Sequence, residues 1–206
     1  FERLHSANPI RLFIAATHAN SGKVRIFRNP ELSVDAILAS ACLPTIHRTI
    51  EIAGEPYWDG GYSANPAVFP LFFECDSADI LLVLLTPLHY AETPASAQDI
   101  KGRLRELAFN ATFLREMRMF AHLRTLVSTS LFPLGRMERR LNRARFHVIS
   151  AESLMSELHA ESKLSVNLPF FKRLFDNGQA QAEAWLSEHH GAIGQQSTVD
   201  LKGLFY

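Results

Sequence analysis

The chain has 206 residues, 47% hydrophobic and 20% charged, and its 21 basic and 21 acidic side chains cancel. That is the composition of a soluble globular protein long enough for one domain with a substantial core, and it lacks the bulk positive charge of a nucleic-acid binder. No apolar run approaches the roughly 20 residues of a membrane-spanning helix, and Cys42 and Cys75 give neither a disulfide framework nor a metal-ligand spacing, so they read as buried free thiols of a reducing compartment.

Arg11 to Ala16 is an apolar run of strand length. Asn20-Ser21-Gly22 signals a turn, and Val24 and Ile26 alternate with Lys23 and Arg25, which predicts a hairpin ended by Asn29-Pro30. Ser33 is placed to cap a helix through Leu38 and Ala41, stopped at Leu43-Pro44. Thr49 to Ile52 is a further strand, and Glu55-Pro56 turns the chain into Tyr57-Trp58-Asp59 and the pair Gly60-Gly61. Asn65-Pro66 opens another helix or turn. Asp79 to Thr86 has the pattern of a strand buried on both faces.

The character then changes. Residues 1–100 hold 6 basic and 11 acidic side chains, 101–145 hold 11 and 3, and 146–206 hold 4 and 7. Thr93-Pro94 marks a helix start. Apolar residues follow at helical spacing through Leu104, Leu107, Ala111, Leu114 and Met117, continuing at Phe120, Leu123 and Leu126, until Phe132-Pro133 interrupts. Arg136 to Arg145 is a second, arginine-dominated helix. Phe146 to Ile149 is a last strand, and Ser165 to His190 is helical with a break at Asn177-Gly178. Gly191 to Tyr206 reads as a loose tail. Strands alternating with helices predict an α/β protein with a mostly parallel sheet, incomplete in this chain and flanked by added helices.

The chemistry concentrates at Asp59. A carboxylate at a strand end serves as general base to a hydroxyl within hydrogen-bond reach, and neighbouring apolar walls, here Tyr57 and Trp58, raise its basicity. Gly60 and Gly61 permit positive φ and, lacking Cβ atoms, close approach of another backbone. Asp-Gly is also a common turn dipeptide, so these three residues alone are explained by turn chemistry. No Gly-x-Ser-x-Gly occurs in the chain; Gly61-Tyr62-Ser63-Ala64-Asn65 lacks the final glycine, and Ser63 reads as a turn or cap hydroxyl.

The wider pattern adds to this. Ala39-Ser40-Ala41-Cys42-Leu43-Pro44 precedes a strand, Asp59-Gly60-Gly61 and Asn65-Pro66-Ala67 follow, and then the apolar strand Asp79 to Val83. The sequence resembles the carboxy-terminal half of the patatin-like phospholipase family, well over Phe1 to Thr86 and more weakly near Phe146 to Ser150. The resemblance implies a three-layer α/β/α sandwich and hydrolysis of lipid acyl esters by a Ser-Asp dyad, with Asp59 as the base and Gly60 and Gly61 completing the motif. The nucleophile and the glycine-rich oxyanion segment would come from upstream of Phe1, so these 206 residues alone are expected to be inactive. Residues 1–150 would then be the carboxy-terminal part of the hydrolase domain, with a basic helical insertion at about 94–145, and 151–206 a helical extension. The alternative is a non-catalytic patatin-like module that binds lipid or protein through its basic helices.

No cofactor and no metal is expected: the histidines, His18, His47, His89 and the pair His189-His190 among them, read as scattered polar or loop residues. The arginines, including Arg139, Arg140 and Arg143, fit either a solvated face on helices packed over the core, the commoner case, or a peripheral contact with anionic lipid. No stacking or base-reading motif accompanies them, so nucleic acid is not an expected partner. A cytoplasmic location, with or without membrane contact, is the expectation, and an amino-terminal signal is not assessable from Phe1 onward.

Overall fold

The computed structural model describes residues 1–5, 9–90, 92–129, 135–158, 162 and 165–206. They divide into two compact units, Phe1–Asp76 with Arg105–Met119, and Ser77–Leu104 with Phe120–Tyr206. Leu104 and Leu107 of the expected helical stripe lie on one helix with Phe113 and Met117, whereas Phe132-Pro133 falls outside the described residues.

The first unit is built on β1 (Phe13–His18), β2 (Val24–Arg28), β3 (Ile50–Ile52) and β4 (Glu55–Asp59). They form one sheet in the order β2-β1-β4-β3, antiparallel throughout. The predicted hairpin is present, with Phe13 opposite Arg28 and Thr17 opposite Val24, and Gly22 takes positive φ in its turn. The β3–β4 hairpin turns at Ala53-Gly54, both at positive φ, and not at Glu55-Pro56, which already belong to β4. Two successive left-handed residues give the turn whose twist matches that of the flanking strands.

Ser33 caps α2 (Val34–Ser40) as its position predicts, its Oγ accepting from the Ala36 N–H at 3.1 Å. The helix lays Ala36 and Ala39 on the sheet, where they join Ala16, Phe27, Leu32 and Tyr57 in the core. Before the sheet, α1 (Glu2–His5) is tied down by Asn29, whose Nδ2 donates to the Leu4 and Ile10 carbonyls while its Oδ1 accepts from the Leu12 N–H. The short helix α3 (Phe69–Glu74) receives its cap from far along the chain, since the Glu116 carboxylate accepts the Val68 and Phe69 N–H groups. Glu116 lies on α4 (Ala97–Ser128), whose cap is Ser96 and not the predicted Thr93-Pro94.

The buried residues of α4 are Asn110, Phe113, Met117, Phe120 and Ala121, while Leu104 and Leu107 are exposed. Of the expected stripe, Met117 and Phe120 take the interior together with Phe113, whereas Leu104, Leu107, Leu123 and Leu126 are exposed.

In the second unit, β5 (Asp79–Leu84) and β6 (Arg145–Ser150) form a parallel pair. Helix α5 (Arg136–Arg143) leads into β6, followed by α6 (Glu152–Glu157) and α7 (Leu168–His189). The α/β class with a parallel pair is as expected. The four-stranded sheet is not: short turns reverse the chain at β1–β2 and β3–β4, and the two hairpins join antiparallel through β1 and β4, where a mostly parallel sheet was expected. Nor is β5 buried on both faces: Ile80, Leu82 and Leu84 are inside, whereas Leu81 and Val83 are 46% and 59% exposed. One face alone carries packing, so burial alternates.

Two further expectations fail. Helix α7 runs through Asn177-Gly178 unbroken, as an exposed glycine costs a helix only about 1 kcal/mol. The segment after Gly191 is no loose tail. The Thr198 N–H donates to the Phe146 carbonyl at 3.0 Å, the Phe146 N–H to Ser197 Oγ at 3.1 Å, and the Gly194 N–H to Asp79 Oδ1 at 3.0 Å. A last helix, α8 (Leu201–Phe205), is capped by Asp200 and buries Leu201 and Phe205.

Among the described residues no helix is long and apolar enough to cross a membrane.

Candidate active site

Asp59 is the last residue of β4, opposite Ala16 of β1, and caps a single 3-10 turn, Gly60–Tyr62. Its Oδ1 accepts the Gly61 N–H at 2.7 Å; among the described residues Oδ2 accepts no hydrogen bond. Its backbone is held on both sides: the N–H donates to the Cys42 carbonyl at 2.8 Å, and the Asp59 carbonyl accepts from Thr17 Oγ1 at 2.7 Å. Thr17 Oγ1 also meets Ser63 Oγ at 2.8 Å, so the Ser63 hydroxyl serves the turn, as its position suggested. A carboxylate is thereby fixed in place by its main chain while one oxygen stays available.

Burial pushes the Asp59 carboxyl above its ordinary value, and the Gly61 N–H, which favours the anion, opposes this. Burial, with the Asp59 charge second, also raises the Tyr62 phenol.

The two glycines are required for space and not for left-handed backbone, since neither has positive φ. A Cβ on Gly60 would lie 2.2 Å from the Ala15 carbonyl oxygen, and one on Gly61 2.5 Å from Phe109 Cδ1. The close approach expected of them is real, but β1 and a ring of α4 occupy it. The aromatic surroundings also differ from expectation. Tyr57 is buried against Phe27 and His18, and Trp58 donates from Nε1 to Thr49 Oγ1 at 2.9 Å. The pair beside the turn is Tyr62 with Phe109, ring centres 4.6 Å apart. Phe109 lies 50 residues from Asp59, and nothing local announces it.

The family model of patatin-like phospholipases matches residues 3–72, a span that ends just beyond this turn and contains Asp59, Gly60 and Gly61. Over those residues the chain is similar to a patatin-like phospholipase domain. Patatin-like domains are three-layer α/β/α folds, and the family is one of lipid acyl hydrolases. No curated protein and no solved structure gives a significant match to the chain.

The remaining candidates lie apart in chemistry from the patatin-like turn. Cys42 is buried, and its Sγ donates to the Arg48 carbonyl; burial raises the thiol's pKa, which makes it a poor nucleophile. Among the described residues no His, Cys, Asp or Glu group has the arrangement of a metal site. On α5, Arg139 and Arg143 are exposed and Arg140 is half-buried with its Nη2 out of solvent, so the three arginines do not share one solvent face. Of the histidines, His18 pairs with Glu55 at 2.7 Å at the surface. His147 departs from the expected loop histidine: it is 1% exposed, with Nε2 3.1 Å from Asp79 Oδ1, Nδ1 3.1 Å from Thr198 Oγ1, and its ring edge-on to Trp185. Asp79 also takes Arg145 in a two-pronged pair at 2.8 and 2.7 Å. Nothing in the Phe146 to Ile149 run marks His147, whose neighbour Phe146 is buried as well, as facing inward.

Proposed function

We propose that Asp59 is the general base of a lipid acyl ester hydrolase, activating a serine supplied by a segment outside these 206 residues. The observation that carries the reading is the half-buried carboxylate at the end of β4, its Oδ1 held by the Gly61 N–H and its Oδ2 without a partner among the described residues. In the proposed reaction the serine oxygen bonds to the ester carbonyl carbon while Asp59 takes the hydroxyl proton. The tetrahedral adduct collapses by expelling the alcohol, which leaves with the proton from Asp59. Water then attacks the acyl-enzyme, giving its proton to Asp59, and the carboxylic acid departs as the serine is reprotonated. Desolvation suits Asp59 to this role, since an ordinary solvated aspartate is too weak a base.

Asp59→Asn keeps the turn's hydrogen-bond acceptor but removes the base. It is expected to lower kcat/KM on a short-chain ester by about 100- to 10,000-fold in the full protein. A fluorophosphonate label, mapped by peptide mass spectrometry, is expected on a serine outside residues 1–206. Undiminished turnover in the Asn variant, or a label on Ser63, would sink the assignment.

A second reading, peripheral contact with anionic lipid through α5, rests on the exposure of Arg136, Arg139 and Arg143. It predicts that Arg139→Glu with Arg143→Glu releases the protein from acidic vesicles in a co-sedimentation assay; unchanged sedimentation removes it.

A further inference from the structure

The second unit contains a cavity of about 540 Å³, of the size that holds small-molecule ligands. Its wall is drawn from three segments: Arg124 of α4, Asn142 of α5, and the continuous stretch from Ser197 through Asp200 to Lys202 that leads into α8. The donors among these side chains are the unusual feature. Among the described residues the Arg124 guanidinium, the Lys202 ammonium and the Asn142 amide make no hydrogen bond. Ser197 Oγ accepts from the Phe146 N–H, which leaves its own proton to donate.

The acceptors, by contrast, are already used. Asp200 is the one carboxylate in the wall, and its two oxygens accept the Lys202 and Gly203 N–H groups at 3.1 and 3.0 Å. Thr125 and Ser128 turn their hydroxyl protons onto the Ala121 and Thr125 carbonyls, closing themselves into α4. With Arg124 and Lys202 against Asp200, the wall keeps one net positive charge. Arg124 is half-buried and burial pulls its pKa down, with Asp200 opposing; a guanidinium nonetheless stays charged at any ordinary pH. A half-buried cation that has the Asp200 charge nearby but makes no hydrogen bond of its own gains from an incoming anion.

We infer that this cavity binds a phosphoryl group, with Arg124 and Lys202 as the charged contacts and Asn142 and Ser197 as neutral donors. Phosphoryl is favoured over carboxylate by the arrangement of donors. Four donor side chains lining one pocket outnumber what two coplanar oxygens accept well, whereas a phosphoryl group offers three oxygens in a tetrahedral spread. None of these residues belongs to the Asp59 turn, so the inference stands independently of the proposed hydrolase.

The test is calorimetric titration of the protein with inorganic phosphate at fixed ionic strength, with acetate as the planar competitor. Saturable binding is expected, weakened about tenfold to hundredfold by Arg124→Gln and by Lys202→Gln, unchanged by Lys172→Gln on the exposed face of α7, and not displaced by acetate. Lys202 is exposed, so its variant keeps the test decisive if Arg124→Gln fails to fold. Vesicles of phosphatidylcholine with and without phosphatidic acid distinguish the source. Sedimentation with the acidic vesicles that Arg124→Gln abolishes assigns the group to a lipid headgroup, and phosphate binding without sedimentation assigns it to a soluble phosphorylated compound. Phosphate binding that is not saturable, that survives both Gln substitutions, or that acetate matches would overturn the inference.

Discussion

Gly60 and Gly61 stand side by side and look interchangeable, yet their surroundings are not. The obstacle to a side chain at Gly60 is the backbone of Ala15 in a sheet strand, which has nowhere to go; at Gly61 it is the edge of the Phe109 ring, which can tilt. Gly60→Ala is therefore expected to cost about 2–3 kcal/mol and Gly61→Ala distinctly less, read as a shift in urea midpoint at constant slope. Equal shifts would mean that the β1 contact is not rigid. At this scale the sequence was partly legible. The Asp59-Gly60-Gly61 triplet announces a tight turn whatever its chemistry, because small and turn-forming residues act locally. It does not announce which neighbour needs the space, since Ala15 and Phe109 lie about 45 and 50 residues away.

The elements divide in the same way. Ser33 capping α2 and the Asn20-Ser21-Gly22 turn were readable because donor and acceptor lie within five residues of one another. The cap of α3 was not, because its acceptor Glu116 arrives from 47 residues downstream. Glu116→Ala leaves the Val68 and Phe69 N–H groups without that acceptor, and is expected to destabilise the protein by about 1–2 kcal/mol. Thermal unfolding of the variant beside Ser33→Ala, a local cap of similar worth, measures it; a negligible loss would show that water replaces the carboxylate freely. The stripe on α4 was readable only in part for a related reason. Apolar spacing fixes a helix but not how much of one side is covered: Met117 and Phe120 of the expected stripe are buried and Phe113 joins them, while its leucines at 104, 107, 123 and 126 stay exposed.

For the molecule as a whole, three carboxylates pull stability in different directions with pH. Arg145 foremost, then the Gly194 N–H and His147, hold Asp79 well below the usual carboxylate range against the opposing cost of burial. Its contribution is therefore full above the ordinary aspartate value and is lost as the solution is acidified below it. Burial raises Asp59 and Glu116 above their ordinary 3.8 and 4.5, so what their protonated forms contribute is present below those values and is lost as pH rises through the shifted ones. Together they predict a stability maximum near the ordinary carboxylate values, where Asp79 already contributes in full and Asp59 and Glu116 have only begun to lose theirs. Glu116→Gln, neutral at every pH, is expected to flatten the decline that sets in above the ordinary carboxylate values, as followed by melting temperature across a pH series; a decline of the same steepness would exclude Glu116 as a source. The ordered end of the chain belongs to this scale too. Gly191 to Tyr206 carries little local signal, and its order comes from Asp79 and Phe146, which no short window of sequence contains.

The junction at Asp79 has a consequence for synthesis. Its partners leave the ribosome in a fixed sequence: Arg145 after 66 further residues, His147 after 68, and Gly194 only after 115. At about 5–20 residues per second, roughly 6–23 s separate the emergence of this carboxylate from that of its last donor. During that interval the nascent strand Asp79–Leu84 waits with neither Arg145 nor Gly194 in place for most of the time. A stall before Gly194 leaves His147 Nδ1 without its Thr198 hydroxyl partner and Asp79 without the Gly194 N–H.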